Sequence, residues 1–260
     1  MTELLTFEGV VTYENRGPAA WITIERPEAR NALNHAVREG LRAAYEHAAA
    51  DDTAKVVVLT GSGEKAFCAG GDLKEMSDTA LKVPAPDWIP QPGRTMDLGK
   101  PLIAAVNGVA LAGGFLLAQC ADLVVAADHA TFGITEARVG RGAPWAAPLP
   151  WLVPPRIALE FLLTAAPLPA ERCREVGLVN HVVPASDLVS HVQDLAETIA
   201  RNAPLSVAAG KRMVYEMASH PRERAFEVAE EIWEPVYLSD DAQEGPLSFK
   251  EKRAPRWSGR

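Results

Sequence analysis

The chain has 260 residues, 48% of them hydrophobic and 23% charged, which is enough to bury a full core without disulfide or metal staples. A net charge of -8 with no basic stripe argues against a nucleic-acid binder, and the three scattered cysteines (Cys68, Cys120, Cys173) suggest neither a zinc site nor a disulfide framework. No apolar run reaches the roughly 20 residues needed to span a bilayer, and Met1 to Val10 lacks a basic start before an apolar stretch, so a cytoplasmic protein with no membrane or nucleic-acid partner is expected.

In chain order, residues 10–14 and 21–25 predict two strands, with Arg16, Gly17 and Pro18 marking a hairpin between them. Residues 33–50 predict a helix, because Leu33, Val37, Leu41, Ala44 and Ala48 recur at steps of three and four. KVVVLT (55–60), PLIAAV (101–106) and LVVAA (123–127) are continuous apolar runs, the pattern of strands buried on both faces. Residues 112–121, between the last two runs, predict a helix. Strand, helix and strand in this order imply an α/β fold with right-handed crossovers. Beyond about residue 150 the character changes. Pro155 suits a helix N1 position before 156–165. A short helix over 170–176, a strand-like piece over 178–183 and three helices over 186–202, 205–217 and 222–236 follow. Residues 81–94 hold Pro84, Pro86, Pro90 and Pro92 around Trp88, which excludes a stable helix or central strand. That segment is a surface loop or a lid over an apolar pocket.

Chemistry-bearing residues are sparse. Gly61 to Ala66 (GSGEKA) fits the dinucleotide pattern G-x-G-x-x-A, but the adjacent glycines Gly70 and Gly71 follow where a helix is required. Gly70-Gly71-Asp72 and Ala112-Gly113-Gly114 offer backbone N–H groups that a ligand can approach closely. Two such donors aimed at one oxygen make an oxyanion hole; each glycine pair is also accounted for by a tight turn. Glu136, in FGITEA (132–137), is a candidate general acid or base, or a capping or solvated side chain. The six histidines show no metal spacing, so no metal site is expected, and no G-x-S-x-G elbow is present.

Several stretches together resemble the crotonase superfamily, the enoyl-CoA hydratase/isomerase family. They are ITIERPEARNAL (22–33), KAFCAGGDLK (65–74), Lys100-Pro101 with NGVA (107–110), Gly113-Gly114 and CAD (120–122), and Glu244-Gly245 with FKEKRAP (249–255). The resemblance spans nearly the whole chain. It implies a spiral of ββα units with a C-terminal helical trimerisation region. The boundaries expected are 1–195 for the core with its acyl-CoA site and 196–260 for the oligomerisation region, assembled as a homotrimer or a dimer of trimers. It implies an acyl-CoA substrate, with coenzyme A entering as part of that substrate and no separate cofactor.

By the same resemblance, the N–H groups of Gly71 and Gly113 bind the thioester carbonyl and Glu136 carries the proton. Ala29, Ala69, Asp72, Leu73 and Lys74 line the coenzyme A site, with Lys74 toward the phosphates. Leu116 and Trp145 border the acyl group, and Phe249 and Lys252 reach the coenzyme A of a neighbouring subunit. The departure is at Leu116, three residues after Gly113, where hydratases of the family carry a second glutamate. With Glu136 as the single carboxylate, the pattern looks similar to the Δ3-Δ2-enoyl-CoA isomerase branch. A 2-enoyl-CoA hydratase and a non-catalytic acyl-CoA binder are the alternatives.

Overall fold

The computed structural model describes residues 4–260; residues 1–3, where the segment read as lacking a leader begins, lie outside the described residues. β1 (Leu4–Phe7), β2 (Val11–Arg16) and β3 (Ala19–Ile24) form an antiparallel meander, followed by α1 (His35–Ala50). A long strand, a short strand and then helical structure come next, three times over. The first repeat is β4 (Val56–Gly61), β5 (Ala66–Cys68) and α2 (Leu73–Asp78). The second is β6 (Leu102–Val106), β7 (Val109–Leu111) and α3 (Gly113–Gln119). The third is β8 (Leu123–Ala127) and β9 (Thr131–Gly133), then 3-10 turns at Glu136–Val139 and Pro144–Ala146, α4 (Leu149–Leu152) and α5 (Pro155–Thr164). β10 (Leu168–Pro169), α6 (Ala170–Glu175), β11 (His181–Val183) and α7 (Leu188–Ala200) complete the core. α8 (Pro204–Met217), α9 (Arg222–Tyr237) and α10 (Asp240–Glu251) follow.

The long strands enter a seven-stranded sheet in the order β1-β2-β3-β4-β6-β8-β11, and the short ones a four-stranded sheet in the order β10-β9-β7-β5. This spiral of ββα units is the expected α/β fold. It follows from the apolar runs: every residue of β6, and every residue of β4 except Thr60, is buried, so these strands need cover on both faces. α1 supplies part of it through Val37, Leu41, Ala44, Tyr45 and Ala48.

Several expectations are corrected. The first helix begins at His35, not Leu33, because the Asn34 side chain caps it by accepting from the Val37 N–H at 3.0 Å. The strand expected over 178–183 shortens to His181–Val183, since the Asn180 side chain takes the Val124 N–H instead. α10 is an additional helix. It contains Gly245 and Pro246, and Ser239 caps its start while Asp241 accepts from the Ser258 and Gly259 N–H groups of the tail. The boundary placed between 195 and 196 falls inside α7, whose Val192 and Ala196 both belong to the main core. A separate small core, Ala209, Val228 and Ile232, begins only with α8. Asp122 joins the two regions. It accepts from the Leu102 N–H at 2.7 Å and from Lys211 and Tyr215 of α8, each at 2.8 Å.

Candidate active site

β5, β7 and β9 run parallel and side by side. Their C-terminal ends therefore lie in a row, and what leaves those ends is Gly70-Gly71, Ala112-Gly113 and the segment to Glu136. The three pieces are stitched together by short contacts. The Ala112 N–H donates to the Gly133 carbonyl at 2.8 Å. A Cβ on Gly70, where φ is +99°, would fall 2.8 Å from Ala112 Cβ and 3.4 Å from the Gly113 nitrogen. One on Gly114 would run into the Cys68 carbonyl oxygen, so α3 can start against β5 only with glycine there. Ala112 itself sits at φ +50°, ψ −119°, a conformation that costs an L-residue on the order of 1–3 kcal/mol.

The Gly71 and Gly113 N–H groups donate to no protein acceptor among the described residues. Gly71 escapes because its bridge to Leu33 uses its neighbours: Leu33 N–H donates to Gly70 O at 2.8 Å and Asp72 N–H to Leu33 O at 3.2 Å. Gly113 is the first residue of α3, whose N–H has no partner within the helix. Two unengaged donors thus lie on abutting loops. Leu33, Met76, Trp88 and Ile89 surround them, since Met76 and Trp88 are the side chains nearest Gly71, and Leu33 and Ile89 those nearest Gly113. Beneath them, burial pushes the Cys68 thiol up to about 12, so this cysteine is no nucleophile.

Glu136 opens the turn after β9 and is 9% exposed. Its Oε1 accepts from the Trp145 indole N–H at 3.0 Å, while Oε2 is buried with no partner. Burial raises its proton affinity above the ordinary carboxylate range, opposed by hydrogen bonds from its own N–H and from Trp145. Trp145 packs edge-on against Phe115 at 5.8 Å, and Gln119 of α3 donates to the Trp145 carbonyl at 3.0 Å. Leu116, on α3 beyond Gly113, is 2% exposed in the main core. A buried carboxyl with one free oxygen can take up and release a proton.

The other expected residues spread further. Ala29 closes a 3-10 turn that rests on the first glycine loop, where Ala69 N–H donates to Arg30 O at 3.0 Å. Asp72 is committed to the protein. It caps α2 through the Lys74 and Glu75 N–H groups and pairs with Arg26 at 3.3 Å. Leu73 and Lys74 are exposed at the start of α2. Phe249 is 87% exposed on α10 and Lys252 ends that helix in the left-handed region, both in the helical region rather than in the glycine loops.

Asn31 and Arg38, to which the sequence alone assigns no role, brace the site. Asn31, fully buried, donates to Ser62 O and Ala66 O and accepts from the Arg26 N–H. Arg38 bonds Leu33 O and Glu75, and lies 4.0 Å over the Trp88 ring. Segment 81–94 is tied down by these contacts and by Arg141, which donates to Leu81 O at 2.7 Å. The polar letters of RPEARNAL are visible in the sequence; the Ser62 and Ala66 carbonyls that Asn31 holds, and the Asp72 that Arg26 pairs with, lie more than 30 residues away.

A sequence model of the Enoyl-CoA hydratase/isomerase family matches residues 14–260. A carnitinyl-CoA dehydratase of Salmonella typhi is 38% identical over 256 residues, covering 94% of this chain and 96% of that protein. Among solved structures, an enoyl-CoA hydratase from Mycobacterium tuberculosis H37Rv aligns with a TM-score of 0.87 at 40% identity, over 96% of this chain and 99% of that one. An enoyl-CoA hydratase/isomerase from Mycobacterium paratuberculosis aligns with a TM-score of 0.88 at 33% identity, again over 96% and 99%. With the spiral fold, the paired glycine loops and these likenesses along nearly its full length, the chain belongs to the enoyl-CoA hydratase/isomerase family of the crotonase superfamily.

Proposed function

We propose that this protein is an acyl-CoA enzyme that stabilises a thioester enolate, and that its reaction is the isomerisation of a 3-enoyl-CoA to a 2-enoyl-CoA. The observation that carries the reading is Glu136, a buried carboxyl with one unpartnered oxygen, beside the family resemblance, which would put a second acid where this chain has Leu116. The thioester oxygen accepts from the Gly71 and Gly113 N–H groups. Glu136 takes a proton from C2, and the negative charge moves onto that oxygen. The same carboxyl then returns the proton at C4, so the double bond shifts from C3–C4 to C2–C3 with no net change in atoms. Each backbone donor that strengthens as the charge develops is worth about 10²- to 10³-fold in rate. A carboxyl whose proton affinity is raised by burial is better matched to a weakly acidic C–H than an ordinary glutamate.

The coenzyme A part of the substrate runs along Ala29, Ala69, Leu73 and Lys74, with Lys74 at the phosphates, and Trp145 and Leu116 border the acyl chain. No separate cofactor takes part. The assembly is a homotrimer or a dimer of trimers in the cytoplasm, in which Phe249 and Lys252 reach a neighbour's coenzyme A. Exposed Val214, Phe226, Leu247 and Phe249 on α8–α10 support burial of that surface between subunits. Hydration or dehydration of a 2-enoyl thioester is the second reading, favoured by the names of the relatives and opposed by Leu116. Incubation with 3-enoyl-CoA and with 2-enoyl-CoA separates them. Growth of conjugated-thioester absorbance from the former is expected; its loss from the latter, with no growth from the former, overturns the isomerase. Acyl-CoA binding without turnover of either leaves a binding protein.

A further inference from the structure

Trp145 is nine residues from Glu136 in sequence and on a different turn, yet its indole N–H meets Glu136 Oε1 at 3.0 Å. An indole N–H only donates. Oε1 is therefore held as an acceptor, the role a carbonyl oxygen fills better than a hydroxyl, and the exchangeable proton is favoured on Oε2, the oxygen without a protein partner. The ring is itself fixed, edge-on to Phe115 and with its carbonyl held by Gln119. We infer that Trp145 is the positioning residue of the acid: it selects Oε2 as the oxygen that exchanges a proton with substrate and holds that oxygen in one orientation. The inference rests on Glu136 being the proton carrier of the proposed reaction.

The elements around the acid carry little charge. β9, α3 and the Pro144–Ala146 turn contain no ionisable side chain. The charged groups nearby are Arg138 and Arg141 of the acid's own turn, with Lys82 on the segment that Arg141 grips through the Leu81 and Lys82 carbonyls. The indole is thus the side chain that donates to the carboxylate, beside the residue's own N–H, and its removal leaves Oε1 without a side-chain donor.

Trp145→Phe keeps an aromatic ring against Phe115 and removes the donor. The Glu136 carboxyl is followed by infrared difference titration, with Glu136→Gln as the subtraction that assigns the band, and 3-enoyl-CoA turnover is measured across pH in parallel. The titration midpoint is expected to rise by about one pH unit, since a hydrogen bond to a charged group is of that size. kcat is expected to fall at least tenfold with KM changed less than threefold, and the rising limb of the pH profile moves with the carboxyl. An unmoved midpoint, or a change in KM alone, overturns the positioning role. A shifted midpoint in a protein that turns over no 3-enoyl-CoA upholds the role and sinks the isomerase reading instead. Should the Phe variant fail to fold, indole N–H NMR of the wild-type protein decides: one of the six tryptophan signals should titrate with the carboxyl midpoint and cease to do so in Glu136→Gln. No titrating indole overturns the inference.

Discussion

Replacing Glu136 by Gln tests the chemistry and the energetics of the site together. Gln keeps an oxygen for the Trp145 N–H at 3.0 Å but cannot ionise. The glutamate is 9% exposed with Oε2 unpaired, and burial raises its proton affinity above the ordinary value of 4.5. Below that value the carboxyl is protonated whether the chain is folded or not, and its titration leaves stability untouched. As pH rises the unfolded chain ionises first, so the folded state loses stability until the pH passes the raised folded midpoint; the loss is constant above it. Its size is about 1.4 kcal/mol for each pH unit separating the two midpoints, or roughly 2–4 °C in Tm per unit. The Gln variant lacks this slope. Its unpaired amide adds a constant offset, so the difference in Tm between variant and wild type should grow in the variant's favour from about pH 4.5 upward and then level off. Thermal melts across that range read it directly. In the same preparation turnover should fall by about 10²- to 10⁴-fold, with acyl-CoA affinity within a few-fold of wild type. Parallel pH slopes in the two proteins would refute the buried, raised carboxyl, and retained turnover would refute its role.

Leu116→Glu places a carboxyl where a 2% exposed leucine packs. About 2 kcal/mol of apolar transfer is lost, with a further desolvation cost of similar size that keeps the new acid protonated. Denaturant melts should show the sum, and measurable hydration of 2-enoyl-CoA should appear; a stable variant with no hydration would mean the position does not face the substrate. Asp72→Ala removes the cap of α2 and the Arg26 pair, for about 1–2 kcal/mol and a raised KM for acyl-CoA, read from urea unfolding and steady-state kinetics. Asp122→Ala strands Lys211 and Tyr215 and should loosen α8, at a cost of about 3 kcal/mol and with faster proteolysis between α7 and α8 under native conditions. Gly114→Ala forces α3 away from the Cys68 carbonyl and should abolish turnover even in soluble protein, because Gly113 moves with the helix.

The sequence by itself determined the layered α/β core. KVVVLT, PLIAAV and LVVAA are too apolar to leave a face in water, so they had to become neighbouring strands under helical cover, and their family motifs followed in an order that marked the glycine loops and Glu136. Local signals worked where one dominant force acted, as in the helix-period stripe of α1. They failed where remote contacts decided. α10 keeps Gly245 and Pro246 because Ser239 and Asp241 anchor it at its start and to the chain's tail. α7 belongs to the core because its apolar face is buried by strands that lie far back in the chain. Only the tertiary structure set β5, β7 and β9 side by side. That pairing brings two glycine N–H groups from segments about 40 residues apart onto abutting loops and leaves both without a partner. It also decided which way Trp145 turns. A hydrogen bond depends on direction and on what else is excluded from the site, and neither is written in the identity of the residues that make it.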